Sequence, residues 1–316
     1  MAARVLLYAG EALARYGFPE GHPFGTDRQQ AFLREATRQG LHTAAVLREP
    51  VAANRDDLER FHVPDYVDLV ERLSRDGGGL LDYGDTPAFP GVLEAASTVV
   101  GSALDGLRRL MDGECRRTFQ AIGGLHHARR SRAAGFCVFN DTGVLIETLR
   151  RDYGVRRVAY VDIDVHHGDG VFYSFEDDPD VAVVDIHEDG TYLYPGTGHA
   201  HETGRGTAAG TKLNLPLPPG AGDREFLLAW ETAERFLRRF APEFIILQCG
   251  ADSLAGDPLA HLRLTAAAHA HAARRLALLA EEFAGGRVMA LGGGGYSRSN
   301  LAQAWTGVLK ELVDVP

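Results

Sequence analysis

Short apolar runs alternate with longer amphipathic stretches along this chain. The apolar runs predict five strands, at residues 5–8, 158–164, 181–186, 244–249 and 288–291. The amphipathic stretches predict helices at residues 141–151, 224–240 and 262–283, with Asp223 and Thr265 as expected N-caps. Strands that alternate with helices usually form a parallel sheet that is covered on both faces. The pattern therefore predicts an α/β fold in which helices flank both faces of a mostly parallel central sheet.

Polar or glycine-rich segments follow four of these predicted strands. They are residues 162–169, His187 together with 194–198, residues 249–252 and residues 292–296. Because sites in open α/β sheets form beyond the carboxyl ends of the strands, we expect the four segments to meet at one edge of the sheet. No linker, repeat or low-complexity segment interrupts the pattern, so we expect residues 1–316 to form a single domain.

The balance of charges limits the classes of partner. With 33 Lys and Arg against 43 Asp and Glu, the net charge is −10 at pH 7, which argues against a nucleic-acid partner. Cys115, Cys137 and Cys249 lack Cys-x-x-Cys spacing, which argues against a disulfide framework or a cysteine zinc cluster. The first apolar run is too short for a signal peptide or a membrane span. We therefore expect a cytoplasmic protein without a membrane partner.

The polar residues after the second predicted strand indicate a metal site. Asp162, Asp164 and His166 alternate with apolar residues, so in a strand the three side chains would point the same way. Carboxylates and imidazoles are ligands for a divalent metal such as zinc. Asp252 is the best candidate for a third ligand, although it could instead cap the following segment. Asp164, His166 and Asp252 would leave an open coordination position for water.

Two adjacent histidines, His126 and His127, follow a pair of glycines. A histidine beside a metal-bound water can act as a general base and later as a general acid. A carboxylate orients such a ring and stabilises its protonated form, and Asp162 and Asp169 are available for this role.

A run of four glycines, 292–295, precedes Tyr296. The run lacks the lysine and the hydroxyl residue of a P-loop and the spacing of a dinucleotide fingerprint. Its flexibility would let the phenol approach a reacting centre and donate a hydrogen bond to an oxyanion. The alternative is a surface turn with a packed tyrosine.

Six segments of the chain together resemble the zinc-dependent histone deacetylase family, which includes bacterial acetoin-utilisation proteins and acetylpolyamine amidohydrolases. They occur in the family's order, at residues 123–128, 135–141, 160–170, 194–198, 250–258 and 291–296. The resemblance extends over roughly residues 5 to 312. It implies the arginase/deacetylase α/β fold.

The resemblance also implies a role for individual residues. Asp164, His166 and Asp252 look like the ligands of one catalytic zinc ion per chain. His127 looks like the general base, and the resemblance pairs His126 with Asp162 and His127 with Asp169. Five residues look like substrate-binding residues: Phe136 and Tyr194 in the walls of an acyl-lysine tunnel, Asp85 at its rim, and Gly135 and Leu259. Tyr296 looks like the tyrosine that stabilises the transition state, and Arg28 resembles an arginine of an internal product channel.

Members of this family also bind structural potassium. The corresponding oxygen atoms here belong to the side chains of Asp162, Asp164 and Asp185 and to the carbonyls of His166 and Ile186. Relatives often have serine where this chain has Asp185, so the extra carboxylate is a departure from the family pattern.

The implied activity is hydrolysis of an N-acyl amide, expected to be an acetyl group on lysine, by a metal-activated water. Polyamine-selective relatives tend to have an acidic residue where this chain has Leu259, so acyl-lysine in a peptide or protein is the preferred substrate class. The alternatives are an acetylpolyamine amidohydrolase, a non-catalytic acyl-lysine binder and a di-manganese ureohydrolase. A homo-oligomer is compatible with the sequence.

Overall fold

A single parallel sheet of eight strands organises the molecule. The computed structural model describes residues 3–19 and 21–316. The strands are β1 (Ala3–Tyr8), β2 (Val46–Arg48), β3 (Cys115–Gln120), β4 (Val158–Asp162), β5 (Val181–Glu188), β6 (Lys212–Leu217), β7 (Phe244–Gln248) and β8 (Val288–Leu291). Their order is β2-β1-β3-β8-β7-β4-β5-β6, and every neighbouring pair is parallel. The predicted α/β class is confirmed, with a sheet that is wholly parallel.

Helices cover both faces of this sheet. They are α1 (Glu11–Ala14), α2 (Arg28–Arg38), α3 (Arg55–Leu58), α4 (Pro64–Asp76), α5 (Val92–Met111), α6 (Asp141–Tyr153), α7 (Asp169–Ser174), α8 (Asp223–Phe240), α9 (Ala266–Phe283) and α10 (Arg298–Asp314), with 3-10 turns at Leu41–Thr43 and Gly206–Ala208. Within β4, Val158 and Tyr160 pack on the side of α4, α5 and α6, while Ala159 and Val161 pack on the side of α2, α8, α9 and α10. Both faces of the strand are therefore buried, as expected for a parallel sheet. Among the described helices, none is long and apolar enough to cross a bilayer.

The two predicted helix caps have different outcomes. The Thr265 hydroxyl accepts a hydrogen bond from the amide of Ala267, so Thr265 is the N-cap of α9 as predicted. The prediction for Asp223 is wrong, because Gly222 precedes α8 and Asp223 is its first residue. The Asp223 carboxylate instead accepts hydrogen bonds from the amide (2.8 Å) and the hydroxyl (2.6 Å) of Thr265, which joins the starts of α8 and α9.

The predicted strand at residues 158–164 ends early, at Asp162. The amide of Ile163 still donates to the carbonyl of Gln248, but the amide of Asp164 donates to the side chain of Asp162 and the chain turns. The strand is therefore shorter than predicted, but Ile163 and Val165 still join the core cluster of Ala159 and Val161, so the alternation continues past the strand. Asp162 and Asp164 both face His126, and Asp164 lies against His166.

The four strands expected to carry the polar segments are neighbours at the centre of the sheet, in the order β8-β7-β4-β5. Their carboxyl ends lead into residues 292–296, 249–252, 163–169 and 189–198, and His187 lies within β5, one residue before its end. Residues 121–127 follow the next strand along, β3. One edge of the sheet thus gathers the candidate site.

Candidate metal and acid–base centre

Three buried side chains converge where β4 and β7 end. Ligand atoms of Asp164, His166 and Asp252 all lie within 4.8 Å of one another. The Nδ1 atom of His166 is 3.1 Å from Asp164 Oδ1 and 3.3 Å from Asp252 Oδ2. Among the described residues, none donates a hydrogen bond to the buried Oδ2 atom of Asp252, and such an oxygen is costly to bury unless a cation or a donor offsets it. Two carboxylates and one imidazole with an uncompensated oxygen fit a zinc ion with an open position.

Protein donors fix the orientation of both carboxylates. Asp164 Oδ2 accepts hydrogen bonds from the amide of Gly294 (2.8 Å) and from the side chain of Gln248 (2.9 Å). Asp252 Oδ1 accepts from the amide of Val165 (3.1 Å), so Asp252 does not cap the segment that follows it. Sequence reasoning missed Gln248; its one signal was a polar residue at the end of an otherwise apolar buried strand.

Two glycines allow the carboxylates to come so close. A Cβ atom on Gly250 would lie 1.9 Å from Asp164 Oδ2, and one on Gly294 would lie 2.0 Å from Asp252 Oδ2. Any side chain at either position would displace a candidate ligand.

The tandem histidines lie beside this cluster, each with a carboxylate. His126 Nδ1 is 2.7 Å from Asp162 Oδ2, and His127 Nδ1 is 2.7 Å from Asp169 Oδ1. Arg129, which sequence reasoning missed, donates to the other oxygen of Asp169 (2.6 Å). The two imidazole rings are 4.1 Å apart between centroids, so the charge on one ring affects the other.

The two histidines differ in protonation. Burial alone would lower the pKa of His126, but the carboxylates of Asp162 and Asp164 raise it to about 9. Burial and the positive charge of His126 lower the pKa of His127 to about 4 despite Asp169. At neutral pH, His127 is therefore the neutral ring of the pair and can accept a proton.

Tyr296 lines the same space as His127 and His166. Its ring meets Phe136 edge-on at 5.9 Å and Phe24 at 6.5 Å. Burial, together with the negative charges of Asp252 and Asp164, raises the pKa of Tyr296 above its usual value. Within the described part of the chain its hydroxyl has no hydrogen-bond partner. It is a neutral phenol with a free donor.

Arg28 lies behind the glycine run that precedes Tyr296. It is fully buried, with its guanidinium 3.9 Å from the ring centroid of Phe24. Its Nε donates to the carbonyl of Gly295 (3.0 Å) and its Nη2 to the carbonyl of Gly293 (2.6 Å). The contacts show that Arg28 holds the glycine run; its expected place in a product channel stays a prediction.

A cavity of about 230 Å³ leads from the surface to this centre. It brings together all five residues predicted to bind substrate, and its lining consists of Asp85, His127, Gly135, Phe136, His166, Leu193, Tyr194, Leu259 and Tyr296. Gly135 has φ +52°, and a Cβ atom there would lie 2.5 Å from the His127 ring. A narrow passage beside the histidine therefore requires glycine at this position.

The rim residue Asp85 belongs to a loop organised by Asp82. Asp82 Oδ1 accepts hydrogen bonds from the amides of Gly84 (3.0 Å), Asp85 (3.1 Å) and Thr86 (2.9 Å). Partial burial and the neighbouring Asp82 raise the pKa of Asp85 to about 6. The loop turns the Asp82 carboxylate inward and leaves that of Asp85 exposed at the mouth.

The residues predicted to bind potassium show an unexpected partner. Asp185 lies next to Asp162 in the sheet, but its two oxygens face His187 Nδ1 (2.6 Å) and the amide of Gly168 (2.8 Å). His187 Nε2 lies 2.9 Å from the carbonyl of Gly198. Because both of its partners are acceptors, His187 donates from both ring nitrogens and is an imidazolium.

An internal cation thus already faces Asp185, the position at which the resemblance implied serine in many relatives. Among the remaining predicted ligands, Asp162 Oδ1 accepts from the amide of Asp164 (3.0 Å). Potassium binding by Asp162, Asp164, Asp185, His166 and Ile186 stays a prediction.

Comparison with known proteins gives relatives over almost the whole chain. A model of the histone deacetylase domain matches residues 22–312. The chain is 37% identical over 306 residues to the acetoin utilization protein AcuC of Bacillus subtilis, which covers 94% of this chain and 79% of the relative. It is 32% identical over 323 residues to the histone deacetylase RPD3 of Saccharomyces cerevisiae, covering 98% of this chain and 72% of the relative.

Solved structures give the same result. The crystal structure of the HDA15 HD domain superposes with a TM-score of 0.90 and 26% sequence identity, covering 98% of this chain and 88% of that one. The resemblance carried by the six sequence segments is confirmed. The chain belongs to the histone deacetylase family.

Proposed function

We propose that this protein is a zinc-dependent deacetylase that hydrolyses acyl-lysine, with acetyl as the expected acyl group, in peptides or proteins. Membership in the histone deacetylase family supports deacetylase chemistry. The observation that carries the proposal is the 230 Å³ cavity, which is lined by His127 on one side, Tyr296 on the other and the candidate ligand His166. An extended acyl-lysine side chain fits such a passage, with its amide at the inner end.

Asp164, His166 and Asp252 would hold the zinc ion. When bound, zinc would supply Lewis-acid polarisation of the acyl carbonyl and of the attacking water. The Nδ1 atom of His127 is committed to Asp169, which leaves Nε2 to accept the proton of that water. The proton taken up by the histidine pair then passes to the leaving amine nitrogen.

Tyr296 stabilises the developing oxyanion. Its phenol keeps its proton at neutral pH because its pKa is raised, and its hydroxyl has no competing partner among the described residues. A donor aimed at the position where negative charge develops contributes more in a buried site than in water. The products are a carboxylate and a free amine.

Charges at the mouth favour a peptide over a polyamine. Leu259, which is 37% exposed, is apolar where an ammonium group would need an acid. Among the described residues that line the 230 Å³ cavity, Asp85 carries the only carboxylate. An adjoining groove of about 420 Å³ shares Asp85 and Tyr194 with it and adds Arg129 and Arg132 together with Asp82 and Asp169, so opposite charges nearly balance there. The preference for a peptide therefore rests on the lining of the cavity itself, where a peptide backbone can offer amide donors to Asp85.

A substrate panel tests both parts of the proposal. The zinc-loaded protein is assayed for kcat/KM with acetyl-lysine peptides, acetylputrescine and acetylspermidine. We expect the peptides to be preferred, and we expect Leu259→Glu to shift the preference toward the acetylpolyamines. A higher kcat/KM for either polyamine in the unaltered protein would overturn the substrate assignment and leave the chemistry intact.

Two further outcomes decide between broader classes. Tight binding of acetyl-lysine peptides by fluorescence anisotropy, with no turnover by the zinc-loaded protein, would identify a non-catalytic binder. Two metal ions per chain by elemental analysis would favour the di-manganese ureohydrolase alternative, since the described residues supply a single buried triad.

A further inference from the structure

Asp257 is a buried carboxylate in the segment 250–258. The proposed deacetylation mechanism gives it no role. Its side chain is 6% exposed and lies in the connection between β7 and α9. Its oxygens accept hydrogen bonds from three backbone amides in two separate loops. They are the amides of Tyr296 (2.8 Å) and Ser297 (3.2 Å) on Oδ2 and that of Leu259 (3.1 Å) on Oδ1.

The backbone before Tyr296 has little stiffness of its own. Gly293 and Gly295 have φ of +89° and +119°, a conformation available mainly to glycine, and glycine also gains the most freedom when its contacts are lost. External contacts must therefore fix the direction of the Tyr296 side chain. Arg28 holds the carbonyls of Gly293 and Gly295, and its guanidinium lies 6.0 Å from the centroid of the Tyr296 ring, but it does not bond to the Tyr296 amide.

The backbone of Tyr296 itself is held from two sides. Asp257 accepts from its amide, and the Arg298 side chain donates to its carbonyl (3.1 Å). Arg298 is in turn fixed by two hydrogen bonds to Asp27, at 2.6 and 2.9 Å. Of these contacts, the one through Asp257 also reaches Leu259 at the cavity mouth.

We propose that Asp257 is a positioning residue that sets the Tyr296 hydroxyl and couples it to the cavity wall at Leu259. The inference rests on the proposed function, in which Tyr296 stabilises the oxyanion. Asp257 does not line the cavity, so any effect on turnover passes through the groups that its carboxylate holds, the backbone of Tyr296 and that of Leu259. A displacement of about 1 Å at a reacting group can reduce the rate by about 100-fold.

A double-mutant cycle between Asp257→Asn and Tyr296→Phe tests this route. Asparagine keeps the size but replaces one acceptor oxygen with an NH₂ donor, which then faces a backbone N–H. We expect Asp257→Asn to lower kcat for an acetyl-lysine peptide by about 10- to 100-fold, mainly through misplacement of Tyr296. Adding Tyr296→Phe should leave the double variant no slower than Tyr296→Phe alone.

Losses that multiply in the double variant would overturn the proposal, because independent sites add in free energy. Zinc content by elemental analysis should equal that of the unaltered protein; a loss of zinc would show that Asp257 acts on the ligand Asp252 instead. The matched control is Asp223→Asn, which makes the same change in a carboxylate that joins α8 and α9 and should leave kcat unchanged.

Hydrogen exchange provides a test that depends on neither folding of the variant nor catalysis. In the unaltered protein, the amides of Tyr296 and Ser297 should exchange much more slowly than solvent-exposed amides. Exchange at the rate of an exposed amide would show that the Asp257 contacts are not maintained in solution and would reject the proposal. If the two amides are protected but the unaltered protein has no deacetylase activity, the proposed function is rejected. The contacts of Asp257 would still be confirmed in that case.

Discussion

The inner end of the 230 Å³ cavity, called the floor here, differs from its opening, the mouth, in how the polar side chains are held. At the floor, Asp164, Asp252, His126 and His127 are each less than 5% exposed, and protein donors or acceptors fix them. At the mouth, the Asp85 carboxylate is exposed and Tyr194 is 46% exposed. The fold therefore fixes the polar groups of the floor, while the polar side chains at the mouth face solvent.

This difference has an energetic basis. Removing one partner from a buried charged pair leaves the other uncompensated, which costs about 3–5 kcal/mol. An exposed charge is solvated whether or not its partner is present, and exposed pairs contribute about 0–1 kcal/mol. Substitutions at the floor should abolish or greatly reduce activity, whereas substitutions at the mouth should change substrate affinity.

The largest effect is expected for Asp252→Ala at the floor. Loss of one of three candidate ligands should release zinc and abolish deacetylation, measured by elemental analysis and by peptide turnover. Asp178→Ala, which breaks a partly buried ion pair with Arg150, is the control for nonspecific loss of structure and should keep its zinc. Full zinc content in Asp252→Ala would remove Asp252 from the ligand set.

Tyr296→Phe should have the next largest effect. Loss of one oxyanion donor typically lowers kcat by about 100- to 1,000-fold, and zinc content should be unchanged. Tyr8→Phe removes the same atom from a buried tyrosine that donates to Asp105, and it should turn over peptide normally. Equal kcat in the Tyr296 and Tyr8 variants would contradict the oxyanion role.

At the mouth, Asp85→Ala should have the smallest effect of the three. Loss of a hydrogen bond between the carboxylate and the peptide backbone should raise KM roughly tenfold with little change in kcat, equivalent to about 1.4 kcal/mol. Exposed Asp65→Ala, far from the cavity, serves as the control. A selective fall in kcat would place Asp85 in the chemistry and erase the distinction between floor and mouth.

The sequence was sufficient to predict the fold class and the residues that gather at the sheet edge. Strand β8 was predicted at its observed bounds, and β4, β5 and β7 were located to within two residues at each end. The segments after these strands are rich in glycine and in residues that can bind a metal. Because the carboxyl ends of parallel strands meet at one edge of a sheet, the sequence predicted that these segments lie close together.

Other elements carry weaker signals. Strand β3 reads Cys-Arg-Arg-Thr-Phe-Gln, and two of its polar residues are buried against distant partners: Arg117 donates to the carbonyls of Leu312 and Val315, and Gln120 to that of Val99. Strand β2 has only three residues. The pattern of apolar residues along the chain did not predict these strands, because it does not show which polar residues are buried by distant segments.

The same limit applies within the site. Gln248, Asp257 and Arg129 act on groups 39 to 124 residues away in the chain, so no local spacing indicated them. The His187–Asp185 pair lies within two residues, yet its protonation depends on the carbonyl of Gly198. Sequence patterns identified the candidate ligands, and the structure was needed to identify the groups that hold them.

Gly250 and Gly294 lie against the two candidate ligand carboxylates and limit which positions of the site can be changed. No variant library that adds even a methyl group at either position can keep both carboxylates where they are. Substitutions intended to accept new acyl groups or new peptide sequences must therefore be made at Tyr194, at Leu259 or in the loop that carries Asp85. An engineer could exchange these mouth segments between relatives and leave the catalytic floor untouched.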